Sequence, residues 1–212
     1  MAQLKSIKDS FLSAAKQSKE HPLPTYEQLP SIELYMDQVI SLMYNYLAPF
    51  SPLWENSIIT RSMINNYVKL HIMPAPVNKR YRKEHLCYLM IICILKQTLP
   101  IRSIVALINL GLRHSTIENL YNSFAKNYSL LIENAVENAI KRIDGEGANG
   151  DLFTDIVMVM SISSATGRFL CESIIKEDSK IDPELPGDFA FVEKDPGKVK
   201  KKKKLPRLRG KK

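Results

Sequence analysis

Along most of the chain apolar residues recur every three or four positions and almost nowhere alternate, so the pattern predicts an all-α body. Leu4, Ile7, Phe11, Leu12 and Ala15 mark a first helix over 4–19, and the three prolines of HPLPTYEQLP make the next segment a linker. Ser31 is then placed to open a helix reaching Leu47, with Leu34, Val39, Leu42, Met43 and Leu47 on its buried side, closed by Pro49 and Pro52. A short helix over 60–70, capped by Thr60 or Ser62, is stopped by MPAP, and VNKRYRK (77–83) reads as a turn or short hairpin. From Glu84 the run HLCYLMIICILKQ is apolar nearly all round, which predicts a helix in the centre of the core.

Pro100 starts a further short helix, IRSIVALINL, that Gly111 is expected to end. The tetrapeptide STIE (115–118) reads as a capping box for a long helix to about Ile143. Within it Ile117, Tyr121, Phe124, Tyr128, Leu131 and Ala135 are spaced 4, 3, 4, 3, 4, a coiled-coil-like seam that allows dimerisation; Asn138 follows in the same phase. A glycine-rich turn leads to a last helix over about 152–176, carrying Ile156, Val159, Met160, Phe169 and Ile174. Beyond Glu177 no period remains, and an extended or disordered tail is expected. The expected organisation is a helix and linker (1–28), a compact domain (29–112), a helical dimerisation or sensing region (113–177) and a tail (178–212).

Charge adds to this picture in two places. The 212 residues hold 30 Lys and Arg against 22 Asp and Glu, a net +8, but residues 194–212 alone contribute +10 through 11 basic residues and one acid. The body is therefore slightly acidic, and within it residues 56–83 stand out: Arg61, Lys69, Lys79, Arg80, Arg82 and Lys83, with no Asp or Glu. On a helix over 60–70, Arg61, Ser62, Asn65, Asn66 and Lys69 form a polar face against Met63, Ile64, Tyr67 and Val68, and Thr60 at its start is counted with that face among the expected DNA contacts. Arg and Lys can read guanine and Asn adenine through paired donors and acceptors, and a face of this size suits a B-DNA major groove. A basic turn containing Asn78, Lys79, Arg80, Tyr81 and Arg82 would then straddle adjacent phosphates.

These residues resemble a known pattern. MINNYVKLHIMPAP followed by KRYRKEHL is similar to the winged helix-turn-helix of MerR-type regulators. LPSIELYMDQV, ITRSMINNYVK, KRYRKEHL and LMIICILKQTLPI together resemble a bacterial family known only as a domain of unknown function, over about residues 29–110. The resemblance implies a MerR-like winged-helix DNA-binding domain. Tyr67 takes the place of the tyrosine that packs the recognition helix, Asn65 that of its usual arginine, and Arg61 and Ser62 that of the groove-facing start. Lys79, Arg80 and Tyr81 stand where the wing's arginine and tyrosine would be, and the Pro100 helix where the domain's last helix begins. Two positions depart from the pattern: His71 occupies the turn where glycine is usual, and the loop 48–57 is longer than the usual tight turn. MerR-like proteins pair through a long helix after the winged domain, so the resemblance implies a homodimer using the Ile117, Tyr121, Phe124, Tyr128 and Leu131 stripe.

The remaining chemistry is sparse. Cys87, Cys93 and Cys171 lie in apolar runs without a Cys-x-x-Cys pair, which predicts no zinc site and no disulfide framework. No phosphate loop or nucleophile–base pair is visible, so neither an enzyme nor a cofactor is expected. With charge interrupting every apolar run among the first twenty residues, no signal peptide is expected; the 12 residues from Ile156 to Gly167 are too short to span a bilayer. The expectation is a cytoplasmic, nucleoid-associated regulator that binds double-stranded operator DNA as a homodimer, with an unknown effector possible at the C-terminal helices. The alternative is a helical interaction protein whose basic tail docks it non-specifically on RNA, DNA or an anionic membrane.

Overall fold

The structure is a computed structural model and describes residues 2–48, 58–146 and 150–181. The expected tail lies almost wholly outside these, as does most of the long loop before residue 58. Seven helices follow in order: α1 (Ala2–Glu20), α2 (Met36–Leu47), α3 (Arg61–Lys69), α4 (Lys83–Leu95), α5 (Ile101–His114), α6 (Ile117–Glu146) and α7 (Gly150–Ile181). No strand occurs among the described residues; two antiparallel bridge pairs, Leu34 with Tyr81 and Val77 with Arg80, are the only extended pairing there.

α4 is the centre. Nine consecutive residues from His85 to Cys93 are buried, as its unbroken apolar run demands, and α2, α5 and α6 pack around it. A helix buried on every side can be covered only by several elements at once. The main core accordingly draws on Leu23 and Leu29 before α2 and on Tyr121 and Ala125 of α6. It therefore runs past both domain boundaries expected at 28 and 112.

The proline-rich segment after α1 is not a free linker. Its Pro24 carbonyl accepts from the Tyr121 hydroxyl at 2.8 Å, the Tyr26 amide donates to Asn122 Oδ1 at 2.8 Å, and the Tyr26 hydroxyl donates to Glu84 Oε1 at 3.0 Å. It is a strap across α4 and α6. Three helix boundaries also shift. Ser31 does not open α2, because the chain bends at 31–32 and Leu34 pairs with Tyr81, and the helix begins at Met36 with Gln38 reaching back to the Tyr35 amide at 2.8 Å. Thr116, not Ser115, caps α6, its hydroxyl accepting from the Asn119 amide at 3.2 Å. Gly111 does not end α5: it lies inside the helix, where a Cβ would stand 2.7 Å from Leu120 Cδ1, so its role is close approach of α5 to α6.

At the far end of α6 a second, smaller core forms from Ala139, Ile143, Leu152, Phe153 and Ile156, with Phe11 of α1 against it. Ion pairs Lys19–Glu137 (3.3 Å) and Arg142–Asp155 (2.6 Å) join α1 and α7 to α6 there. An open groove of about 360 Å³ runs between α6 and α7, lined by Ala135, Asn138, Arg142, Val159, Met160 and Ser163 among others.

Two histidines hold the turns on either side of the basic segment. His71 ends α3 in the left-handed region (φ 54°), with the Ile72 amide donating to the Tyr67 carbonyl at 2.8 Å and the His71 amide to the Val68 carbonyl at 3.0 Å. This is a Schellman closure with a side chain where glycine is unstrained. Replacing His71 by Gly removes a left-handed penalty of about 1–2 kcal/mol at some entropic cost; the urea midpoint of His71→Gly should rise, with a net gain of up to about 1 kcal/mol.

His85 is buried at the third position of α4, and its Nδ1 accepts from the Arg82 amide at 3.0 Å, so the ring is neutral with its proton on Nε2. Burial pushes its pKa below the ordinary imidazole value of 6.5. The unfolded chain therefore takes up a proton first, and the stability held above about pH 6.5 is lost as pH falls below it. His85→Gln, which can accept the same bond without titrating, should flatten the stability profile below about pH 6.5, measured by urea unfolding at each pH.

Candidate nucleic-acid interface

α3 forms because Thr60 caps it, its hydroxyl accepting from the Met63 amide at 3.2 Å, and because Ile64 and Tyr67 reach the core at a spacing of three. The carbonyl of Ile58, two residues before the cap, is held by Lys96 Nζ at 2.9 Å from the end of α4, which fixes where α3 starts. Arg61, Ser62, Asn65, Asn66 and Lys69 are exposed together, Met63 and Val68 are half-buried, and Ile64 and Tyr67 are buried. Thr60 is placed as a cap and is half-buried, so its hydroxyl is already engaged. Burial pushes the Tyr67 hydroxyl up to about 12, which keeps it a neutral packing group.

The segment after MPAP is a tight turn. Asn78 and Lys79 both adopt left-handed conformations (φ 50° and 60°), and the Arg80 amide donates to the Val77 carbonyl at 2.9 Å, the geometry of a type I′ hairpin turn. Tyr81 and Leu34 then exchange both backbone hydrogen bonds at 2.8 Å, which anchors the turn to the chain before α2. The Tyr81 side chain, expected among the DNA contacts, is 3% exposed and packs edge-on against His85 at 5.4 Å. It attaches the turn to the core and is not at the surface. Asn78, Lys79 and Arg82 are exposed, and Arg80 is half-buried.

What the spacing could not show is where these groups converge. Arg61 Nη2 meets Asp37 Oδ2 at 2.6 Å, the Arg80 guanidinium lies 3.7 Å above the Tyr35 ring, and Arg82 Nε meets Glu33 Oε1 at 3.0 Å. Residues 33–37, at the start of α2, thus gather the first residue of α3 and both arginines of the turn. Glu33, Tyr35 and Asp37 were not picked out from the sequence; they lie more than twenty residues from their partners, and no local pattern marks them.

This placement corrects the charge picture. Residues 56–83 contain no acid, yet Asp37 and Glu33 are folded onto them. Lys83 turns inward, donating to the carbonyls of Tyr26 at 3.2 Å and Glu27 at 3.4 Å, and sits over the Tyr26 ring. Lys69 and Lys79 are exposed and meet no described acid. The surface therefore presents two unpaired lysines, one arginine stacked on an aromatic ring and two arginines in exposed ion pairs. Exposed pairs of this kind are worth only about 0–1 kcal/mol, so a phosphate can compete for either arginine.

The stripe expected to pair subunits is largely engaged within the chain. Tyr121 is fully buried and hydrogen-bonded to Pro24, Phe124 and Tyr128 stack at 6.1 Å, and both pack with Ile117 against the main core. Of the five positions only Leu131 is exposed, at 67%. Cys87 and Cys93 are buried, and burial raises both thiols, Cys93 to about 11, so they are packing groups at neutral pH. Among the described residues no group of three or more His, Cys, Asp or Glu side chains lies close enough to hold a metal ion, and no helix is long and apolar enough to cross a membrane.

No curated protein and no solved structure is found similar to the chain. A family model does match, and it covers the strap, α2 to α5 and the start of α6. Residues 24–124 match the family model described as Domain of unknown function (DUF1836).

Proposed function

We propose that the protein is a sequence-specific DNA-binding protein, a transcription regulator of bacterial type that binds operator DNA as a homodimer through a MerR-like winged helix-turn-helix. The observation that carries the reading is the convergence at residues 33–37. The exposed polar face of α3 and the turn at 77–82 are tied to the same short segment, so a helix and a basic loop are offered from one region of the surface. In this reading α3 enters the major groove, where Asn65 and Asn66 address adenine and Arg61 addresses guanine. Lys79 and Arg80 take the flanking phosphates, and Lys69 lies where α3 leaves the groove. A two-fold dimer would require an inverted-repeat operator. The groove between α6 and α7 is the place where an effector would sit.

The test is selection of bound duplexes from a random pool by the full chain at near-physiological salt. An enriched palindromic motif is expected. Enrichment of nothing, with retention that simply follows ionic strength, would sink the reading in favour of non-specific docking.

Variants divide the interface by role. Asn65→Ala with Asn66→Ala should flatten the preference at individual motif positions, each lost bidentate contact costing about 1–3 kcal/mol of discrimination. Lys79→Ala should weaken every sequence alike and reduce the slope of log K against log salt by about 0.9. Asp37→Ala should do the opposite: with the exposed ion pair gone, Arg61 is released and affinity rises about two- to five-fold, read by fluorescence anisotropy.

A further inference from the structure

The turn at 77–82 carries cations of the proposed interface, and one buried side chain stands between its two ends. His85, in the first turn of α4, is 6% exposed. Its Nδ1 accepts from the Arg82 amide at 3.0 Å, where the chain leaves the turn. The carbonyl of Ala75, where the chain enters the turn, also faces the ring, although no hydrogen bond closes on the buried Nε2. The Tyr81 ring stands edge-on to the imidazole at 5.4 Å. Tyr81 in turn exchanges both backbone hydrogen bonds with Leu34, and Arg80 lies over the Tyr35 ring. The imidazole is therefore the inner end of a series of contacts that runs outward through Arg82 and Tyr81 to residues 33–37.

Only the neutral ring can serve in this place. A second proton goes to Nδ1, the ring nitrogen that accepts, and there it points at the Arg82 N–H, so a hydrogen bond is replaced by two donors facing each other in a buried site. The charged groups around the ring offer no way out. Burial opposes the imidazolium most strongly, and the Arg82 guanidinium opposes it as well. Glu84 on the same turn of α4 favours it, but that carboxylate already accepts from the Tyr26 hydroxyl of the strap at 3.0 Å. Burial raises both Tyr26 and Tyr81, so neither phenol brings a charge. To admit the proton, the ring or the turn has to move. We infer that His85 is a positioning residue for the turn: unprotonated, it clamps residues 75 and 82 and holds Lys79 and Arg80 at the interface, and protonation releases them. The consequence for binding rests on the DNA-binding reading, and its sign is diagnostic. Lysine and arginine stay charged throughout the range in which histidine titrates. Any other group that gains a proton on acidification makes the protein more positive and strengthens its hold on a polyanion, whereas release of the turn weakens it.

The test has one arm with DNA and one without. Affinity of the full chain for a labelled duplex carrying the selected motif is measured by fluorescence anisotropy from about pH 7.5 downward, at constant ionic strength, as far as circular dichroism shows native helicity. Wild type should lose about two- to ten-fold below about pH 6.5, the worth of one hydrogen bond. His85→Gln, whose amide oxygen accepts from the Arg82 amide at any pH, should match wild type at the starting pH and tighten on acidification. A wild-type affinity that only rises as pH falls, or a loss shared by His85→Gln, would overturn the inference. The second arm is hydrogen exchange of the free protein. Relative to α4, and to His85→Gln at the same pH, residues 77–82 of wild type should lose protection as pH falls through the same range. Equal protection in the two proteins would overturn the clamp. Opening in wild type alone upholds it even where no duplex is enriched, so a failure of the clamp and a failure of the DNA-binding reading are told apart.

Discussion

The complete burial of α4 is the constraint from which the rest of the architecture follows. Nine residues in succession leave no solvent face, so the helix cannot be covered by one neighbour. α2, α5 and α6 each take a side, and the strap at 21–30 and the turn at 77–82 close what remains. Each fully buried Leu, Ile or Met contributes about 1.5–3 kcal/mol, so none of these layers can be lifted independently of the others. Three polar groups at the edge of this core order its surroundings. His85 accepts the amide that starts α4, Tyr121 reaches the strap, and Lys96 holds the carbonyl before α3. The exposed face of α3 is positioned by the inside of the protein.

That positioning explains why a basic surface segment carries acidic partners. A charged loop fixed in one conformation needs something to hold its side chains. Glu33 and Asp37 hold Arg82 and Arg61 at the surface without burying them, and the Tyr35 ring holds Arg80. Ordering these arginines before any ligand arrives lowers the entropy lost on binding, while the pairs stay weak enough for a stronger anion to displace. The cost is a smaller field than the composition implies, so long-range attraction falls to Lys69 and Lys79 and, in the whole chain, to the lysines after residue 194.

Helices were legible wherever the chain buries one face or, as in α4, the whole helix. The spacing of Ile64 and Tyr67 and the unbroken run of α4 predict the packing found, whereas the 117–128 stripe predicts a helix but not that its cover is the chain's own core. Non-local pairing was not legible. Leu34 looks like a helical core residue, but its backbone pairs with Tyr81, forty-seven residues away, and that bond moves the start of α2. Gly111 has the sequence signature of a terminator because a close contact and a left-handed turn both call for the missing Cβ, and only the position of Leu120 tells them apart. The same holds at the candidate interface. Its exposed residues are named by charge and period, whereas the acids that temper them come from another part of the chain.

The long stripe on α6 has two physical roles that the sequence merges into one. Its first half, to Tyr128, packs into the main core; its last turns, Ala139 and Ile143, build the second core with α7. A single helix of 30 residues, about 45 Å long, therefore joins the core around α4 to the core that holds the start of α7. Because the helix is continuous and anchored in a packed core at each end, it sets the position of α7 relative to α3. Any effector seated in the groove between α6 and α7 would then be held in register with residues 33–37.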